Sequence, residues 1–217
     1  MLKLCFLVSS GGGNAKFIYL AKELSIVKNI EIYIVADREC SAIEFAKNSN
    51  IYSKVINYKR DNNSELISTL ESLKPDIIIT TWAKIIDEDI VNKYKGKMIN
   101  LHYSLLPAFK GEMGIEPIEN AYKQNCQYIG VTCHYVEKDV DAGKIISQSI
   151  LKSNIPIENT IQEVFRRGCL ILLNSIIILS SKEIIEYKEN EHFEYSPTLK
   201  FDKDRFNDKF WDRVSVL

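Results

Sequence analysis

The chain has 217 residues, 46% of them hydrophobic and 26% charged, and a formal net charge of -1. That composition belongs to a folded globular protein long enough to bury one substantial core. A charge so close to zero excludes bulk attraction as the means of holding nucleic acid or an anionic membrane, so any phosphate must be gripped locally.

The N-terminal run breaks straight into Gly11-Gly12-Gly13, which predicts a first strand and not a leader. Strands are then expected at Lys3–Val8, Ile30–Val35, Lys54–Ile56 and Asp76–Thr80, with helices from Asn14, near Ser41–Asn48 and over Ser64–Lys74. Strands alternating with helical stretches predict βαβ units feeding a parallel sheet. Leu4–Val8 and Ile77–Ile79 are apolar throughout, as strands covered on both faces require. Further strands are expected at Lys97–Leu101, Tyr128–Val136 and Lys144–Ile150, the last two separated by the acidic turn Glu137–Gly143. Beyond Asn159, the spacing Ile161, Val164, Phe165, Gly168, Leu172, Ile176, Leu179 follows the helical period and predicts a long helix on the sheet. A short helix is expected near Phe206–Val214. The fold class is therefore α/β, a single Rossmann-like domain with a mostly parallel twisted sheet flanked by helices.

No apolar run approaches the roughly 18–20 residues of a membrane span, and the nearest, Leu170–Leu179, is interrupted by Asn174 and Ser175. The five cysteines, Cys5, Cys40, Cys126, Cys133 and Cys169, are odd in number and lack C-x-x-C spacing. They indicate neither a disulfide framework nor zinc, and they suit a reducing cytoplasm.

Three segments carry candidate chemistry. Ser9-Ser10-Gly11-Gly12-Gly13-Asn14 lies where a strand gives way to a helix, so backbone N–H groups of Gly12, Gly13 and Asn14 suit a phosphate. A tight turn capped by Asn14 or a serine explains the same residues without a ligand. A dinucleotide fingerprint would need a third glycine at Lys16, so Asp37 is weak support for NAD. In Met98–Pro107, Asn100 and His102 sit two apart in a strand and share one side, at the strand end where open α/β sheets place ligands. The third segment, Gly130–Gly143, ends in a turn carrying Glu137, Asp139 and Asp141. A carboxylate there beside a histidine would raise the imidazolium fraction.

Asn-Leu-His-Tyr-Ser-Leu-Leu-Pro at 100–107, Gly-Val-Thr-x-His at 130–134 and Val-Asp-Ala-Gly at 140–143 together resemble the folate-dependent formyltransferase family. The resemblance runs over about residues 1–185, which would form the catalytic domain, with 186–217 as a tail packing on or extending from it. It implies transfer of the formyl group of 10-formyltetrahydrofolate to a primary amine, without a metal. Asn100 would bond the formyl oxygen, His102 would stabilise the oxyanion and move a proton, and Asp141 would hold His102 protonated. Ala83, Lys84, Ile85 and Ile86, with Asn100 and the turn Glu137, Lys138, Asp139, Val140 and Asp141, would bind the folate. Gly12, Gly13 and Asn14 would bind the acceptor's phosphate, assisted by Arg166 and Arg167.

Glycinamide ribonucleotide is the acceptor the resemblance favours, with an amino-sugar nucleotide or another small amine as the alternative. A non-catalytic phosphate-binding protein on the same fold is the reading from a different class. The partners expected are small molecules, not nucleic acid or membrane, with a homodimer admissible. Tyr103 stands where the family carries proline after its catalytic histidine, and Gly168 stands near an expected acidic residue.

Overall fold

The computed structural model describes residues 1–181 and 194–217 and divides the chain into two compact units. One is Met1–Ile99 with Asp204–Leu217, and the other is Asn100–Lys203. The expected boundary between 185 and 186 lies outside the described residues.

The first unit is built from β1 (Leu2–Val8), α1 (Gly13–Glu23), β2 (Ile30–Ala36), α2 (Ser41–Asn48), β3 (Tyr52–Val55), α3 (Ser64–Leu73), β4 (Ile77–Thr81) and α4 (Glu88–Lys93). Its strands lie in the order β3-β2-β1-β4, and every neighbour is parallel. Leu4–Val8 are at most 1% exposed, which explains why β1 is apolar at consecutive positions and does not alternate. Sequence periodicity misses α4 because six residues hold too little of a helical repeat. Its local signal is Asp87, whose side chain accepts from Ile90 N–H as an N-cap.

The C-terminal helix α7 (Asp208–Val216) belongs to this first unit and packs on α1. Phe17 of α1 is fully buried, with the rings of Phe206, Phe210 and Trp211 at centroid distances of 5.3, 5.5 and 5.4 Å. The aromatic residues near the end of the sequence thus complete a core around the helix that follows the glycine turn. Trp211→Ala should cost about 3–5 kcal/mol of stability, read as a lowered urea midpoint with the slope kept.

The second unit contains β5 (Met98–His102, its first two residues counted with the first unit), α5 (Glu116–Lys123), β6 (Tyr128–Tyr135), β7 (Ile145–Lys152), α6 (Ile157–Ser181) and β8 (Tyr195–Ser196). Strands β6, β7 and β8 form an antiparallel meander. With eight strands among the described residues, mostly parallel and alternating with helices, the fold is the α/β class expected.

Helix α6 is long and apolar enough, by length and composition, to cross a membrane, a property that its two polar residues obscure in the sequence. Of its most apolar window 61% is buried inside the protein, as in a core helix. Its interruption at Asn174 and Ser175 has a structural cause. The Asn174 amide, fully buried, donates to Pro197 O and Thr198 O and accepts from Lys200 N–H, pinning the returning chain. Ser175 bonds Ser147 of β7 at 2.6 Å.

Candidate active site

Strand β5 delivers Asn100 and His102, and β6 ends at a turn that carries Asp141, all within the second unit. The Asp141 carboxylate faces two histidines: Oδ2 is 3.3 Å from His102 Nδ1, and Oδ1 is 3.4 Å from His134 Nε2. Oδ2 also accepts the Gly111 N–H at 2.9 Å. Each histidine has its other nitrogen fixed on a carbonyl, His102 Nε2 at 2.9 Å from Phe109 O and His134 Nδ1 at 2.8 Å from Tyr135 O. The Asn100 amide nitrogen lies 3.5 Å from His134 Nε2. One carboxylate thus orients two imidazoles beside one amide.

Asp141 reaches this position through a left-handed backbone, φ 51°, a conformation that short polar side chains tolerate best. Its neighbours in the turn differ: Glu137 and Asp139 are exposed, while the Asp141 side chain keeps only 7% of its surface. Of three carboxylates in the acidic turn, the fold selects one. The β6–β7 register shifts beside His134: pairing passes from Cys133↔Ser147 to His134↔Ile145, so the extra residue, Ile146, is on β7 and the alternation of β6 is kept.

Burial and neighbouring charge compete at both groups. Burial pushes the Asp141 carboxyl up, but the hydrogen bond from His134, the Gly111 N–H and the charge of His102 more than offset it, leaving the carboxyl below its usual range. For His102, burial lowers the affinity for a proton, and Asp141 and the Phe109 carbonyl raise it without restoring the ordinary value. Asp141 thus favours the protonated ring, as expected, while desolvation of the ring opposes it and is the larger influence. Both ring nitrogens nevertheless face acceptors, which only the imidazolium satisfies together. His102 is thereby poised to gain or lose a proton.

Both depressed values carry the same sign in linkage. Each group contributes stability above its unfolded value, His102 above ~6.5 and Asp141 above ~3.9, and that contribution is lost as pH falls through the folded value. Wild-type Tm should drop between pH 7.5 and 5.5 by more than that of His102→Asn, with a further fall below pH ~4. Parallel Tm profiles for the two proteins over the upper interval would contradict this.

His134 closes the Gly-Val-Thr-x-His motif but was given no role from the sequence. The strand period also places it on one face of β6 with Thr132. Thr132 accepts from Leu106 N–H and Gln148 Nε2 and donates to Ser104 O, so that face holds the chain leaving His102. Tyr103 and Gly168, two of the departures from the family pattern, meet each other: a Cβ on Gly168 would lie 3.3 Å from Tyr103 Cε1. Arg167, expected near phosphate, is instead engaged by Glu163, Ile150 O, Ser149 and Glu194.

The first unit holds the other expected residues. Gly12 is left-handed, φ 64°, and a Cβ there would come within 2.8 Å of Ala42 Cβ, so glycine is required. Helix α1 starts at Gly13 with no side-chain cap, which disposes of capping by Asn14 or a serine. Asn14 is 7% exposed, and among the described residues its side chain makes no hydrogen bond. The segment Ala83–Ile86 follows β4. Ala83 N–H donates to Ser9 Oγ, Lys84 lies 3.9 Å from buried Asp37, and Ile85 O accepts from Tyr58. Ile85 is exposed and Ile86 buried. Asp37 is thus taken by Arg38 and Lys84. Trp82, ahead of this segment, has a buried indole N–H without a partner among the described residues. Val140 is exposed in the acidic turn, as is Lys138.

The family model described as Formyl transferase matches residues 2–169. The chain is 33% identical over 153 residues to the trifunctional purine biosynthetic protein adenosine-3 of Bos taurus, covering 67% of this chain and 15% of that protein. It is 33% identical over 125 residues to the formyltetrahydrofolate deformylase of Bacillus subtilis, covering 55% of this chain and 41% of the relative. It thus spans less than half the length of either relative. Among solved structures, glycinamide ribonucleotide transformylase 1 from Geobacillus kaustophilus superposes with a TM-score of 0.74 at 27% identity, covering 82% of this chain and 98% of that one.

Proposed function

The chain belongs to the formyl transferase family, and on that premise we propose that it moves the formyl group of 10-formyltetrahydrofolate to the amine of glycinamide ribonucleotide in purine biosynthesis. Amine attack on a formamide carbon makes a tetrahedral intermediate whose oxygen needs donors already in place. Asn100 supplies the amide donor and His102 the second group at that oxygen. His102 takes up the proton that the attacking amine loses and passes it to N10 of the departing folate, with Asp141 fixing the ring and balancing its charge while it is protonated. His134 shares the Asp141 carboxylate and completes its alignment. The Glu137–Asp141 turn, in the same unit as Asn100 and His102, binds the folate. The partners are these small molecules and the compartment is the cytoplasm, which suits five free cysteines.

The observation that favours a phosphorylated acceptor is the uncapped start of α1. Gly12, Gly13 and Asn14 offer backbone N–H groups at a helix N-terminus, beside the Asn14 side chain, which makes no hydrogen bond among the described residues, and an anion would satisfy them. A deformylase, whose acceptor is water, has no use for a phosphate cradle. The experiment is competition between acceptors: purified protein with 10-formyltetrahydrofolate, glycinamide ribonucleotide and a set of amino-sugar nucleotides, with products resolved by mass. Formylated glycinamide ribonucleotide should dominate. A formylated sugar nucleotide alone would replace this acceptor and keep formyl transfer.

A further inference from the structure

Glu112 is a carboxylate that the assignments above leave idle. Its Oε2 is closed to solvent and, among the described residues, has no hydrogen-bond partner. A buried carboxylate oxygen with nothing to accept carries a desolvation cost that only a donor recovers. The backbone puts it beside the catalytic groups. Glu112 N–H shares the Phe109 carbonyl with His102, and Gly111 N–H holds Asp141. Phe109 and Gly111 are both left-handed, φ 55° and 85°, so the loop turns twice to bring the next side chain round. The charge of Glu112 is felt at the His102 ring.

We propose that Glu112 receives the ammonium group of the acceptor amine and is the specificity-determining residue for an amine over water. The proposal rests on the formyl-transfer reading and deepens it. A primary ammonium brings a positive charge and three donors, whereas water brings neither the charge nor the third donor, so a desolvated carboxylate discriminates strongly between them. Bound there, the nitrogen is held next to Asn100 and His102, where the formyl carbon must be, and it becomes the nucleophile once it releases one proton to solvent, which frees the lone pair that forms the new C–N bond. The relatives include both amine formyltransferases and deformylases, which differ in that choice of acceptor.

The test uses the full chain and Glu112→Gln, which keeps size and removes charge. Wild type is first given formyl-labelled 10-formyltetrahydrofolate with glycinamide ribonucleotide and amino-sugar nucleotides. Label on no amine overturns both this proposal and the function it rests on. With the amine that is formylated, Glu112→Gln should raise the KM for that amine at least tenfold and shift the KM for the folate less than twofold. The same variant should lose the preference for the amine over an analogue carrying hydroxyl in its place, measured as competitive inhibition. An unchanged amine KM with the preference intact overturns the proposal and leaves formyl transfer standing. A fall in kcat alone, with a shifted pH profile, also overturns it, because Glu112 would then act only through His102. Folate affinity and Tm are recorded for the variant, and Glu112→Asp, which keeps the charge, should restore the preference in part if folding is sound.

Discussion

His102→Asn and Asp141→Asn should each reduce kcat by about 10³-fold while leaving folate binding within a few-fold of wild type. The expectation follows from the proposed mechanism and one contact, His102 Nδ1 against Asp141 Oδ2 at 3.3 Å, by which the two side chains would act as a single proton-handling unit. Removing either leaves the other without a task. The double variant should therefore lose scarcely more than one single variant, as groups acting together do. Asparagine at 141 also tolerates the left-handed backbone, so the loss reports on chemistry and not on a collapsed turn. Losses that multiply in the double variant would contradict a shared role. Steady-state rates with folate affinity by titration decide it.

Gly143→Val should be the most damaging change in the turn. A Cβ at Gly143 would collide with the carbonyl oxygen of Tyr135 and come within 3.2 Å of Glu137 Cγ. The Tyr135 N–H bonds Lys144 O at 3.0 Å, so the collision falls where the two strands close the loop. No side chain fits without opening the turn two residues from Asp141. Overpacking of this kind costs on the order of 3 kcal/mol, and it should also withdraw Asp141 from His102 and His134. The result expected is a lowered Tm together with a loss of kcat comparable to that of Asp141→Asn. A variant with wild-type kcat would show that the turn can be opened without disturbing the carboxylate.

Much of the fold was legible because the first unit obeys simple periodicities. Leu4–Val8 announces a strand buried on both faces, and the longer helices that follow, α1 to α3, each bury a set of apolar residues. The long helix was read from its 3.6-residue spacing, whereas the reason for Asn174 was not, since its partners at 197–200 are remote in sequence. The grouping of Asn100, His102 and Asp141 is legible from motifs, and His134 stands in one of them without its role being readable, because its contact with Asp141 is made only in the folded chain. Glu112 depends on two left-handed residues, one of them the unusual Phe109. The balance at His102 is not readable from the sequence for a related reason. A neighbouring carboxylate can be guessed from sequence, but the depth of burial that outweighs it depends on the packed structure.

The central claim is that the formyl carbon goes to an amine, and its fate can be followed directly. Supply the full chain with 10-formyltetrahydrofolate labelled with ¹³C in the formyl group and with glycinamide ribonucleotide, and record the carbon spectrum as the reaction proceeds. The account predicts that the label appears in a new formamide on the amine, at a rate that depends on the acceptor concentration. Label released as free formate, at a rate indifferent to the amine, would contradict it.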